Sequence, residues 1–269
     1  MSLAERYDCF LLDLDGVVYR GDRPVEGAPE AVARLRAAGR RVVFVTNNSS
    51  LTPPQVAEKL GRVGVPASPV EVVTSALATA DLLASRHERS AFVIGEDGIR
   101  EALAEAGIEV LDGEPERVDS VVIGWDREVD YAKLRTASIL VQRGAALVAT
   151  NADISYPAPD GLLWPGAGAI LLVVTTTTGV QAEVVGKPGT QLFEAGLRRA
   201  GGGRPLVVGD RIDTDVAGAA ALGWDSLLVL TGISPGSDLE SSDVRPTYVA
   251  RDLAGLFEEP EPRPPGAGS

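Results

Sequence analysis

The first clear signal along the chain is four consecutive apolar residues, Cys9-Phe10-Leu11-Leu12, cut off by Asp13-Leu14-Asp15-Gly16. A short, unbroken apolar run suits a strand buried on both faces of a parallel sheet. The period then changes. Val32 and Leu35 fall at helical spacing within residues 29–38, and Gly39 stands where such a helix would stop. Residues 41–45 read as the next strand, and Thr52 before Pro53-Pro54 reads as the cap and first turn of a helix ending near Gly61 or Gly64. The alternation returns late in the chain, with a strand at 206–209, a helix at 215–222 and a strand at 226–230. This rhythm predicts a parallel sheet with helices on both faces.

A second alternating stretch lies between: strand 91–94, helix 98–106, strand 120–123, helix 131–143 and strand 146–150. The expected fold class is therefore α/β, with a Rossmann-like parallel-sheet core domain formed by 1–79 and 182–259 and an inserted α/β domain at 80–181. Four threonines at 175–178 leave helix and strand both open, because β-branched residues favour strand while 168–174 could begin a helix. The Pro- and Gly-rich tail, 260–269, has almost no apolar side chains to bury and is expected to be disordered.

Composition narrows the chemistry. In 269 residues there is one histidine and one cysteine, so Ser-His-Asp triads, multi-histidine metal sites, disulfides and thiolate clusters are hard to build. Cys9 is expected to pack as a small hydrophobe, and His87, in the polar stretch 85–89, to sit in a solvated loop. A net charge of −13 opposes binding to a nucleic-acid polymer, whose affinity rests on Lys and Arg neutralising phosphates. A small phosphorylated metabolite is compatible with that charge, since a metal ion and one or two local cations can offset the global field. No apolar run approaches the ~20 residues of a membrane span, and the start lacks a secretory pattern, so no membrane partner and a cytoplasmic location are expected.

Carboxylates, Lys, Thr and Asn are left to do the work. Asp13 and Asp15, two apart at the carboxyl end of a buried strand, can both leave toward the crevice where open α/β sheets bind ligands. Thr46-Asn47-Asn48-Ser49 follows strand 41–45 and offers a hydroxyl and backbone N–H groups suited to phosphate oxygens. Gly186-Lys187-Pro188-Gly189 supplies a lysine before a helix start, without the spacing of a Walker loop. Asp210, Asp213 and Asp215 follow another strand; Asp210 suits a magnesium ligand, Asp215 could orient it, and Asp213 is expected to cap the following helix.

Taken in order, Asp13-Leu14-Asp15-Gly16-Val17, Thr46-Asn47-Asn48, Gly186-Lys187-Pro188 and Gly209-Asp210-Arg211 with Asp215 resemble the four motifs of the haloacid dehalogenase-like phosphatases. The resemblance spans nearly all of 7–250 and is to the NagD-type (IIA) branch, which includes phosphoglycolate and 4-nitrophenyl phosphatases and carries an α/β cap. Ala149-Thr150-Asn151-Ala152-Asp153 is similar to that branch's Thr-Asn-Pro-Asp segment, with Ala152 in place of proline, and Pro165-Gly166-Ala167-Gly168 to its Gly-rich turn.

The resemblance implies a Mg²⁺-dependent phosphomonoester hydrolase in which Asp13 forms an aspartyl-phosphate and Asp15 serves as general acid and base. It implies Mg²⁺ on Asp13, the Asp15 carbonyl and Asp210, with Asp215 behind them, and phosphate on Thr46, Asn47, Asn48 and Lys187. Asn151 and Asp153 would set specificity from the cap, and a homodimer is allowed. Small substrates such as glycerol phosphate or phosphoglycolate are preferred, with nucleoside monophosphates or aryl phosphates as alternatives. Asp15 argues against a dehalogenase, which needs no acid for its leaving group. A phosphotransferase would keep the same residues, and a non-catalytic nucleotide-binding protein would not need Asp13.

Overall fold

The computed structural model describes residues 1–157, 162–232 and 242–260. The chain folds into two compact units, one of Met1–Val45, Ala57–Val72 and Phe193–Ser269, the other of Thr46–Val56 and Val73–Leu192.

The first unit is organised by a six-stranded sheet in the order Tyr248–Ala250, Asp225–Val229, Pro205–Gly209, Cys9–Leu12, Arg41–Thr46 and Val72–Thr74. Cys9–Leu12 lies near the centre and pairs in parallel with Pro205–Gly209 on one side and Arg41–Thr46 on the other, in the register Leu12↔Val208 and Leu12↔Phe44. All four of its side chains are buried, as a parallel strand covered on both faces requires. Cys9 is fully buried among them and His87 is exposed in a turn, both as expected. The expected first helix is observed as Ala28–Ala37, burying Ala28, Ala31, Val32 and Leu35, and Gly39 ends it at φ +70°. The chain then meets Pro53–Arg62, entered through Thr52, whose N–H donates to Gln55 Oε1 at 2.8 Å.

One expectation about this unit fails. The helix predicted over 215–222 begins earlier, as a π-helical turn at Ile212–Val216 that runs into the α-helix Ala217–Ala221. Asp213 is therefore inside the turn and does not cap it; its carboxylate instead receives two hydrogen bonds from Arg211, Nε at 3.0 Å and Nη2 at 2.7 Å. A π turn is a common deviation at functional sites, because the extra residue re-aims side chains.

The second unit has its own five-stranded parallel sheet, in the order Glu183–Val184, Ala146–Ala149, Ser120–Ile123, Ser90–Ile94 and Glu109–Val110. Phe92, Ile94, Val121 and Ile123 pack with Ala137, Leu140 and Val141 of the helix Tyr131–Gln142 and with Ile170, Leu171 and Val174 of Ala167–Thr178. That last helix settles the threonine run. Residues 175–178 are helical, and the hydroxyls of Thr177 and Thr178 return to the carbonyls of Val173 and Val174 at 2.7 and 2.8 Å, a bond that lets β-branched threonine remain in a helix. An antiparallel pair, Ser155–Pro157 with Leu163–Pro165, completes the unit. Among the described residues no helix is long and apolar enough to cross a membrane. The tail expected to be disordered, beyond Pro260, lies outside the described residues.

Candidate active site

The chain leaves the buried strand Cys9–Leu12 at Asp13, whose N–H still donates to the Val208 carbonyl at 2.9 Å and so continues the ladder into the loop. Leu14 then turns inward and is fully buried. The carbonyl of Leu14 accepts from the N–H groups of Val18 and Tyr19 at 2.9 and 3.1 Å, and Gly16 N–H donates to Tyr19 O at 2.8 Å. Thr231 Oγ1 donates to the Gly16 carbonyl at 2.6 Å. With its backbone tied at each step, the loop holds Asp13 and Asp15 in fixed places.

The neighbouring strand Pro205–Gly209 delivers Asp210, and the π turn brings Asp215 back toward its start, where Asp215 Oδ2 accepts from Arg211 N–H at 3.3 Å. One carboxylate oxygen from each of Asp13, Asp210 and Asp215 lies within 4.8 Å of the other two, and Asp210 and Asp215 are each 1% exposed. Glycines make this approach possible. A Cβ at Gly16, where φ is +82°, would stand 2.5 Å from Asp210 Oδ2; one at Gly232 would collide with the same carboxylate, and one at Gly209 with that of Asp215. Three carboxylates this close, two of them buried and Asp13 half-buried, repel one another when ionised, and a hard divalent cation with oxygen ligands is the partner that reverses the sign of that interaction. The donor set fits magnesium.

Asp15 lies outside that triad. Its side chain is accessible at the surface yet densely surrounded, and the loss of hydration pushes its carboxyl above the ordinary range, against the lowering pull of Lys59 and Arg20. A carboxyl so placed keeps a proton more readily, which is the property a general acid needs. Tyr19, 6% exposed, is pushed above the usual phenol range by burial and by the charges of Asp15 and Asp13, and remains a neutral hydroxyl. Lys59 Nζ stands 4.1 Å from the centre of its ring, a cation–π contact.

The remaining expected residues belong to the second unit. Thr46 ends a strand, is 7% exposed, and its hydroxyl oxygen accepts from Asn48 N–H at 3.1 Å. Asn48 spends its side-chain oxygen on its own turn, accepting from Ser50 N–H at 2.9 Å and Leu51 N–H at 3.2 Å, the Asx pattern. Asn47 is knotted to distant segments. Its Oδ1 accepts from Lys187 N–H at 2.7 Å, while Nδ2 donates to Lys187 O at 3.1 Å and Asp153 Oδ2 at 3.2 Å. Asn151 Nδ2 donates to the Asn47 carbonyl at 2.9 Å. Lys187, 4% exposed, precedes a cis peptide bond to Pro188.

The expected residues thus gather as two sets, Asp13, Asp210 and Asp215 with Asp15 nearby in one unit, and Asn47, Asn151, Asp153 and Lys187 in the other. Several contributors escape sequence reasoning. Ser75 Oγ donates to the Asn47 carbonyl at 2.7 Å. Tyr19 and Gly232 carry no motif signal. The glycines of the Pro165-Gly166-Ala167-Gly168 turn carried one: a Cβ at Gly166 or Gly168 would strike the backbone carbonyl of Asp153 or Ala152, so they let the Asn151–Asp153 segment run against the helix.

Comparison with known proteins gives this arrangement a family. Residues 10–109 match the haloacid dehalogenase-like hydrolase family, and 184–256 match its HAD-hydrolase-like companion. An acid sugar phosphatase of Staphylococcus epidermidis is 41% identical over 260 residues, covering 96% of this chain and 99% of its own. The crystal structure of a glycerol phosphate phosphatase from Mycobacterium tuberculosis in complex with magnesium superposes with a TM-score of 0.91 at 36% identity, covering 95% of this chain and 78% of that one; the same enzyme has also been solved with calcium. A 4-nitrophenylphosphatase from Thermotoga maritima gives a TM-score of 0.88 at 33% identity, covering 95% and 98%. The chain belongs to the haloacid dehalogenase-like hydrolases, in their NagD-type (IIA) phosphatase branch.

Proposed function

We propose that this phosphatase is magnesium-dependent and hydrolyses a small phosphomonoester through a covalent phosphoryl group on Asp13. The observation that carries the reading is the carboxylate triad, with Asp13 and Asp210 delivered by adjacent parallel strands and Asp215 returned by the π turn. Asp13, the Asp15 carbonyl and Asp210 would hold Mg²⁺, with Asp215 orienting them, and the ion's charge would offset repulsion between a carboxylate nucleophile and an anionic phosphate.

Asp13 attacks phosphorus in line, so that an Oδ–P bond forms as the ester P–O bond breaks, and Asp15 gives its proton to the departing oxygen. Asp15 then takes a proton from the water that attacks the phosphoryl group, which releases inorganic phosphate and restores the Asp13 carboxylate. Thr46, the Asn47 backbone, Asn48 and Lys187 are assigned to the other phosphate oxygens, and Asn151 and Asp153 to the leaving group. In this reading 1–79 and 182–259 form the catalytic core and 80–181 the cap.

A two- or three-carbon substrate such as phosphoglycolate or glycerol phosphate is preferred, supported by the glycerol phosphate phosphatase among the structural relatives. Aryl phosphates are the second reading, supported by the Thermotoga 4-nitrophenylphosphatase. Phosphate release over a panel of sugar, glycerol, two-carbon, nucleoside and aryl phosphates, with and without Mg²⁺, tests both. Release should need Mg²⁺ and favour one small substrate. Rates within a few-fold across the panel would refute a dedicated substrate, and transfer to a sugar without free phosphate would refute hydrolysis.

A further inference from the structure

Asn47 uses both ends of its side-chain amide on the backbone of one residue 140 positions away. The Lys187 N–H can only donate, which fixes Oδ1 toward it and turns Nδ2 toward two acceptors, the Lys187 carbonyl and the Asp153 carboxylate. Only this orientation satisfies all three contacts. Asn47 is itself anchored, because its carbonyl accepts from Asn151 Nδ2 at 2.9 Å and Ser75 Oγ at 2.7 Å. Close approach is permitted by Gly186, where a Cβ would stand 2.6 Å from Asn47 Oδ1 and would also collide with the Thr150 carbonyl. One amide therefore joins the segment after strand Arg41–Thr46, the lysine loop and the Asn151–Asp153 segment.

We propose that Asn47 is a positioning residue: its amide clamps the backbone of Lys187 and is oriented by Asp153, so that Asp153 and the lysine are coupled through a single side chain. The inference rests on the reading of Lys187 as a phosphate ligand. The clamp replaces a strand neighbour for a residue that lies just beyond the last ladder bonds of its own segment, Val185 N–H to Ala149 O and Gly186 N–H to Thr150 O. A backbone so held fixes where a long, flexible lysine side chain starts, which reduces the disorder lost when it meets an anion.

The test is the dissociation constant of inorganic phosphate, measured by calorimetry on the Mg²⁺-loaded full chain. Asn47→Asp keeps the acceptor for Lys187 N–H but sets a second carboxylate oxygen against the Lys187 carbonyl and Asp153; it should weaken phosphate at least about tenfold. Adding Asp153→Asn returns a donor to that contact. The double variant should recover at least about fivefold over Asn47→Asp, whereas Asp153→Asn in the parent chain should not tighten binding.

A side chain that merely fills space would show no such partner-specific recovery. Unchanged phosphate binding in a folded Asn47→Asp protein, or equal effects of Asp153→Asn in both backgrounds, overturns the clamp. Should Asn47→Asp fail to fold, Asn47→Ser, too short to reach both Lys187 groups, is read the same way: a tenfold loss supports the clamp and no loss overturns it. Lys187→Ala separates the two layers. If it leaves phosphate affinity intact, the reading of Lys187 fails; if it weakens phosphate while the Asn47 variants do not, only the clamp fails.

Discussion

The two units prepare their functional side chains by opposite means. In the first, carboxylates are forced together: Asp13, Asp210 and Asp215 approach within 4.8 Å, and glycines at 16, 209 and 232 clear the space. In the second, neutral amides and hydroxyls hold one another through short hydrogen bonds, with Asn47 as the hub. The first arrangement is electrostatically costly without a cation, whereas the second is satisfied as it stands. On the proposed reading, the close carboxylates are where a cation would be held, and the hydrogen-bonded amides are where geometry would be kept.

That contrast predicts a graded series of effects. With Asp13 as the proposed nucleophile, Asp13→Asn should lower turnover by at least about 10⁴-fold, measured as phosphate release under saturating Mg²⁺, with the fold retained. Asp210→Asn should raise the Mg²⁺ concentration for half-maximal activity by at least about 100-fold, read by metal titration, and excess Mg²⁺ should restore part of the rate. Asn151→Ala breaks two bonds of the amide set, one to the Asn47 carbonyl and one from the Asp153 N–H, and should cost about tenfold in kcat/KM with no change in the Mg²⁺ requirement. An equal shift in metal dependence would break the distinction between the two sets. Gly16→Ala, at φ +82° and against Asp210, should destabilise by about 1–2 kcal/mol in thermal melts and also raise the Mg²⁺ requirement.

The smallest effect concerns Asp225, which begins the strand Asp225–Val229, at the opposite end of the sheet from the carboxylate triad. Burial raises the Asp225 carboxyl, but hydrogen bonds from Tyr7, Arg204 and Thr247 outweigh it and hold it below the ordinary carboxylate range. A depressed folded-state value means that the contribution to stability is complete above the unfolded value, about pH 4, and is lost as pH falls through the folded one. Asp225→Asn should flatten that part of the acid limb in melts recorded between about pH 2 and 6, while leaving phosphate release at neutral pH unchanged.

Much of this was legible in the chain. Fully apolar strands ending in Asp, such as Cys9–Leu12 and Pro205–Gly209, announce both a parallel sheet and the edge at which its chemistry sits, because burial on both faces leaves polar groups nowhere to go but the strand end. The π turn at Ile212–Val216 was not legible, since nothing in Arg211-Ile212-Asp213-Thr214-Asp215 separates one extra residue per turn from an ordinary helix start. The partners of Asn47 lie 28 to 140 residues away, and no local pattern encodes them. That the side-chain oxygen of Asn48 closes its own turn, whereas the amide of Asn47 reaches distant segments, was not legible either. The threonine run at 175–178 conflicted with helix propensity and was decided by packing, through Val174 in the buried cluster beneath it.

The central claim is that phosphorus becomes bonded to Asp13. Mixing the Mg²⁺-loaded enzyme with a phosphate-labelled substrate, quenching in acid within one turnover and mapping the label by peptide mass spectrometry addresses it directly. Label is expected on the peptide that carries Asp13, lost on exposure to base and missing from Asp13→Asn. Full activity in wild-type enzyme with no acid-stable label at any time point, or label on a different residue, would contradict it.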